Sequence, residues 1–129
     1  MAKLVHDNVL DAALQYLETN VDWIAVCEGA PTTYEHAHSN KGTGTGKVLA
    51  HSATPTFTGP AEGDASGRKT AVDEEATITI DASGDADHIA LVFTGSTLLL
   101  YVTTCTLQAL VAANTVTIPT WDIEIADPT

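Results

Sequence analysis

Three groups of residues in this 129-residue chain are of types that do chemistry. The run Gly42-Thr43-Gly44-Thr45-Gly46-Lys47 has the glycines and the lysine of a phosphate-cradling loop. It departs from that pattern twice. Lys41 stands where the first glycine belongs, and Val48 replaces the Ser or Thr that would hold Mg²⁺. The spacing is equally wrong for a dinucleotide fingerprint and no helix signal follows, so the run reads as a flexible loop. In Glu35-His36-Ala37-His38 an extended backbone would project both imidazoles to one side, with His51 and His88 as distant extras. A closed zinc site needs two further ligands, and no Cys or carboxylate spacing nearby supplies them. These residues therefore read as partly exposed loop histidines, and neither a metal nor a cofactor is expected.

Cys27 and Cys105 are the two cysteines. Both lie in apolar, strand-like settings where a free thiol behaves as a small hydrophobe. A disulfide between them requires facing strands, and synthesis in a cytoplasm favours thiols. Two buried free thiols are therefore expected, with the Cys27–Cys105 bridge the disfavoured alternative. Neither cysteine has an electropositive neighbourhood, and no Gly-x-Ser-x-Gly occurs. Asp73-Glu74-Glu75 reads as an exposed acidic turn rather than a catalytic pair. An enzyme is not expected.

The elements that must position these groups are one helix and then strands. Val9, Leu10, Ala13, Leu14 and Leu17 recur with the spacing of one apolar helical face, with Asp7 or Asn8 as the cap and Thr19-Asn20 as the end. Val21–Cys27 predicts a central strand, with Trp23, Ala25 and Cys27 on one face and Ile24 and Val26 on the other. Gly29–Thr33 is a turn around Pro31. A strand is expected within Val48–Phe57, between flexible loops at 39–47 and 59–67. Ala76, Ile78 and Ile80 alternate with Thr77 and Thr79. Ile89–Phe93 and Leu98–Val102 form a hairpin over Thr94–Thr97. Cys105 to Val111, Val116 to Ile118 and Trp121 to Ile125 complete seven or eight strands. Leu98–Val102 has two readings: a central strand buried on both sides, or a strand with one side in an oligomer face. Trp23 and Trp121 are expected in the core. The predicted fold class is mainly β, an antiparallel β-sandwich (a β-barrel is the alternative) with one N-terminal α-helix. Residues 1–129 are read as a single domain, with an arm and helix over 1–20 and the body over 21–129.

The formal net charge is −12, and all five basic residues (Lys3, Lys41, Lys47, Arg68, Lys69) precede Thr70. Beyond them stand nine carboxylates and no Lys or Arg. Such a surface repels phosphates, so nucleic acid is not an expected partner. No apolar run approaches the ~20 residues that cross a bilayer, and Met1–Asp7 lacks the apolar core of a secretory signal. A membrane partner is not expected, and synthesis and folding in the host cytoplasm are.

Two end segments carry a resemblance. Asp7–Leu17 runs into Cys27-Glu28-Gly29-Ala30-Pro31-Thr32-Thr33-Tyr34, and the chain closes with Trp121-Asp122-Ile123-Glu124-Ile125-Ala126-Asp127-Pro128. In order and placement these segments resemble a family of small virion proteins of tailed bacteriophages. The resemblance implies a capsid decoration (cement) protein on the capsid exterior, which stabilises the head by binding the major capsid protein and itself, a trimer being favoured. A neck, tail or baseplate component is the alternative, and a receptor- or carbohydrate-binding module the second. The candidate capsid or subunit contacts are Ala2, Lys3, Leu4, Val5 and His6 in the arm and Lys41 and Lys47 in the 39–47 loop. These segments hold three of the five basic residues, which suit an acidic shell.

Overall fold

The computed structural model describes residues 4–128. In chain order the first elements are α1 (Asp7–Asn20), β1 (Trp23–Cys27), α2 (Tyr34–His38), β2 (Val48–Ser52), β3 (Phe57–Glu62) and β4 (Arg68–Val72). They are followed by β5 (Glu75–Thr79), β6 (Gly84–Phe93), β7 (Leu98–Leu110), β8 (Thr115–Ile118) and β9 (Trp121–Ile125). All strand pairings are antiparallel and fall into three open sheets, ordered β2-β1-β6-β7, β3-β4-β9 and β5-β8. The chain is thus mainly β with one main helix near the N-terminus, consistent with a sandwich; it is not a closed barrel. It divides into two compact units: one of α1, β3, β4 and β9, the other running over Val21–Pro55 and Glu75–Ile118.

In the first unit α1 lies against β3 and β4. Its buried residues are Leu10 and Leu14, while Val9, placed on the apolar face by the sequence pattern, is 62% exposed. Polar contacts rotate the helix to this face. Arg68 on β4 donates to Asp11 through Nε at 2.7 Å and through a terminal nitrogen at 3.3 Å, and reaches Glu62 on β3 at 2.9 Å. Seven residues on, Glu18 accepts the hydroxyl proton of fully buried Thr70 at 2.7 Å. Asp11, Leu14 and Glu18 therefore share one face, as the helical period requires. The predicted cap also moves: His6 accepts the Val9 N–H at its carbonyl (2.9 Å) and the Asn8 N–H at Nδ1 (3.1 Å).

The loop expected over 59–67 is shorter than predicted, because β3 carries Gly59 and Pro60. As an edge strand with a register shift between Thr58 and Ala61, β3 tolerates a residue that cannot donate to the ladder.

In the second unit β1 is the central strand the sequence predicted, flanked by β2 and β6. Its position opposite β6 puts Trp23 against Val92, Ala25 against Ala90 and Cys27 against His88. The β6–β7 hairpin closes through a 3₁₀ turn at Thr94–Ser96, with Thr97 left-handed. Asp22 staples that turn by accepting the Thr94 N–H at 2.8 Å and its hydroxyl at 2.7 Å. One expectation changes here. Leu98–Val102 is not central and buried on both sides, because it belongs to β7, the edge of the sheet. An unbroken apolar run does not by itself separate the two positions.

Two measurements check these contacts. Leu14→Ala should cost about 2–5 kcal/mol in denaturant unfolding, whereas Val9→Ala should stay within about 0.5 kcal/mol. At Asp22, burial opposes ionisation, but the Thr94 hydroxyl and N–H outweigh it and hold the carboxyl below its ordinary 3.8. A depressed folded value stabilises the fold above the unfolded value, and that stability is lost as pH falls through the folded one. Asp22→Asn should therefore lower stability at neutral pH and lose less on acidification below about pH 4 than the parent chain, read by denaturant midpoints across pH.

Candidate functional site

The second unit brings two histidines, His38 and His51, against one indole. The segment Glu35–His38 is not extended: it is the short helix α2, started by Thr33, whose hydroxyl accepts the His36 N–H at 3.2 Å. Ser39 closes it by donating its hydroxyl to Glu35 at 2.9 Å. On a helix, residues two apart point to opposite sides, so His36 and His38 do not converge. His36 turns back to the turn, its Nδ1 3.2 Å from the Thr32 N–H.

α2 sits close on the sheet because small residues meet there: Ala37 packs with Ala90 and Val92, and Trp23, Tyr34, Leu99 and Val102 close around them. That approach places His38 against Trp23, ring centroids 4.4 Å apart, with Tyr34 also stacked on His38 at 4.9 Å. His51 on β2 stacks on the Trp23 indole at 4.0 Å and 8°. The indole N–H donates to the Ala37 carbonyl at 3.0 Å, so Trp23 is held by rings and backbone together. His51 is in turn fixed by Asp81, whose carboxylate lies 2.8 Å from Nδ1.

The His51–Asp81 pair opens onto a cleft of about 420 Å³ between β2 and β5. The two strands are bridged at Ala50 and Ile80, and Asp81 donates its N–H to the Leu49 carbonyl at 2.7 Å. On the β5 side the cleft is bordered by Glu75, Thr77 and Thr79. Thr77 has φ +54°, a strained conformation for a β-branched residue, and it follows from the register shift between Glu75 and Ile78. Hydroxyls and carboxylates suit a hydroxylated or cationic ligand. The hydroxyl of Ser52 is engaged with Thr54, at 3.4 Å from its Oγ1 and 3.3 Å from its N–H, rather than with the His51 ring. Among the described residues no group of three or more His, Cys, Asp or Glu is placed to hold a metal ion.

The residues singled out as contacts are distributed as follows. Ala2 and Lys3 lie outside the described residues. Leu4 is 90% exposed, Val5 is partly buried and His6 caps α1. Lys41 pairs with Glu28 at 2.6 Å. Lys47 donates its N–H to the His36 carbonyl at 2.9 Å. The 39–47 loop is tied back along its length: the N–H groups of Lys41, Thr43 and Gly46 bond the carbonyls of Val48, Asn40 and Thr43. At Gly46 a Cβ would collide with the Ser39 carbonyl, so this position requires glycine. Of the other basic residues, Lys69 reaches Asp64 and Asp122 at 2.6 and 3.1 Å. The sequence reading missed the Trp23–His51–Asp81 arrangement. Its signal was the alternation that puts His51 and Trp23 on one face once β1 and β2 are paired.

Cys27 and Cys105 are free thiols on β1 and β7, with β6 between them. Burial pushes the Cys27 thiol up to about 12 and raises that of the less buried Cys105. A thiol-specific reagent at neutral pH should therefore modify Cys105 first and Cys27 only after denaturant is added. Equal rates in the folded protein would contradict this burial order.

Comparison of the chain with known protein families, with curated proteins and with solved structures finds no match.

Proposed function

We infer that this chain is a structural virion protein of a tailed bacteriophage. In that role it decorates the outer face of the capsid lattice, binding the major capsid protein and itself and stabilising the head. The observation that carries the reading is the ordered pair of end segments, Asp7–Tyr34 and Trp121–Pro128, in a mainly β chain with one N-terminal helix. Two further features support it. The formal net charge of −12 favours solubility at high copy number. His6, His51 and the Trp23 indole are engaged in capping, stacking and hydrogen bonds within the chain. Repetition over a lattice lets modest single contacts add up to tight attachment.

The decisive measurement is the copy number in purified virions, by quantitative mass spectrometry against the major capsid protein. A near-stoichiometric ratio supports decoration. A few per cent moves the protein to the neck, tail or baseplate, and absence from the particle overturns the virion reading. Deleting Ala2–Val5, which leaves the His6 cap in place, should abolish binding to capsids in a co-sedimentation assay. Retained binding would remove the arm from the contact.

The cleft beside His51 and Asp81 favours a second reading, a carbohydrate-binding module. That reading predicts chemical-shift changes at His51 and Thr79 on titration with soluble saccharides. Trp23 is already stacked on by His51 and contacted by His38.

A further inference from the structure

We propose that the outer edge of β7 joins two copies of this chain, strand to strand and antiparallel about a two-fold axis, making one eight-stranded sheet from two four-stranded ones. β7 is the longest strand, 13 residues, or about 44 Å at ~3.4 Å per residue. It is an edge strand, and such edges are ordinarily blunted by charge, proline, bulges or a covering segment. From Leu98 to Leu110 there is no Asp, Glu, Lys, Arg, Pro or Gly. Its register against β6 shifts at two steps, yet Tyr101–Thr104 pair without interruption. Thr104 is the midpoint of the strand and is exposed, as are Thr106 to Ala109. Leu107 is 66% exposed.

Two observations select a second copy as the occupant. The first is charge. Each copy carries a formal −12, so two copies repel over most of their surfaces, and the 13 uncharged residues of β7 are a strip on which they can approach. The second is topology. The opposite edge of the sheet, β2, is already engaged: Val48 bridges Asn40, Ala50 bridges Ile80, and the Leu49 carbonyl accepts the N–H groups of Asp81 and Ala82. Head-to-tail pairing of β7 with β2, which would grow a filament, is blocked. Pairing of β7 with β7 is isologous and closes at two. The inference puts a dimer in place of the trimer that the resemblance implies, and its test on the isolated chain is distinct from that of the virion reading, which is made on particles.

The test is the mass of the full-length protein in solution by light scattering and sedimentation. The expected species has about twice the 13.5 kDa of one chain, and its dissociation constant should fall as NaCl screens the repulsion between copies. Thr104→Lys and Leu107→Lys, both at exposed positions, should each weaken association about tenfold or more by placing ammonium groups in the paired edge, even though each lowers the net negative charge. Val9→Lys, on the exposed side of α1, is the control and should leave association unchanged. Circular dichroism identifies any variant that fails to fold, and having two β7 variants keeps the test open if one does. A monomer at every salt concentration, a trimer, or a dimer indifferent to both β7 variants would overturn the proposal.

Discussion

The second unit depends on one constraint: the backbone of β1 must be paired on both sides. Trp23–Cys27 is buried nearly throughout, and buried N–H and C=O groups left unpaired are costly. Pairing with β2 on one side and β6 on the other satisfies them and fixes which residues face α2. The small side chains of Ala25 and Ala90 lie opposite each other in that register. Together with Ala37 they let the helix come close enough for His38 to reach the indole. A larger residue at Ala37 or Ala90 would lift α2 and dissolve the ring stack without touching a ring.

The first unit solves a different problem with the same economy. Its sheet has three strands, and a helix of 14 residues supplies the other side of the core. Two buried leucines alone would leave the rotation of α1 loosely specified. The paired contact of Arg68 with Asp11 has a fixed fork geometry, and the Thr70–Glu18 bond lies two turns away. These polar contacts hold the helix at one rotation, which explains why Val9 is left in solvent.

Charge and edge chemistry act together in the functional reading. Of the five basic residues, Lys41, Arg68 and Lys69 sit in ion pairs with carboxylates of the same chain. The acidic surface is therefore scarcely neutralised by free cations, and association has to use uncharged or locally basic segments. The N-terminal arm and the β7 edge are segments of that kind, one proposed for the capsid and one for a second copy.

Much of the fold was legible in the sequence. The 3.6-residue recurrence of Leu10, Leu14 and Leu17 set the helix and alternation set β5, β8 and β9, because these periods follow directly from backbone geometry, while β1 was read from a run apolar on both faces. The hairpin around Thr94–Thr97 was equally clear. Less was legible wherever the answer depended on what lies beside a segment. α2 has five residues, too few to show a period, and its cap is a single threonine hydroxyl. β3 keeps Gly59 and Pro60 only because it is an edge. Leu98–Val102 reads the same at the centre of a sheet as at its rim. The meeting of Trp23, His51 and Asp81 joins residues up to 58 positions apart, so no local pattern announces it. Local backbone preference and periodicity decided which segments are helix or strand; only tertiary pairing decided which edges stay open and which rings and carboxylates meet.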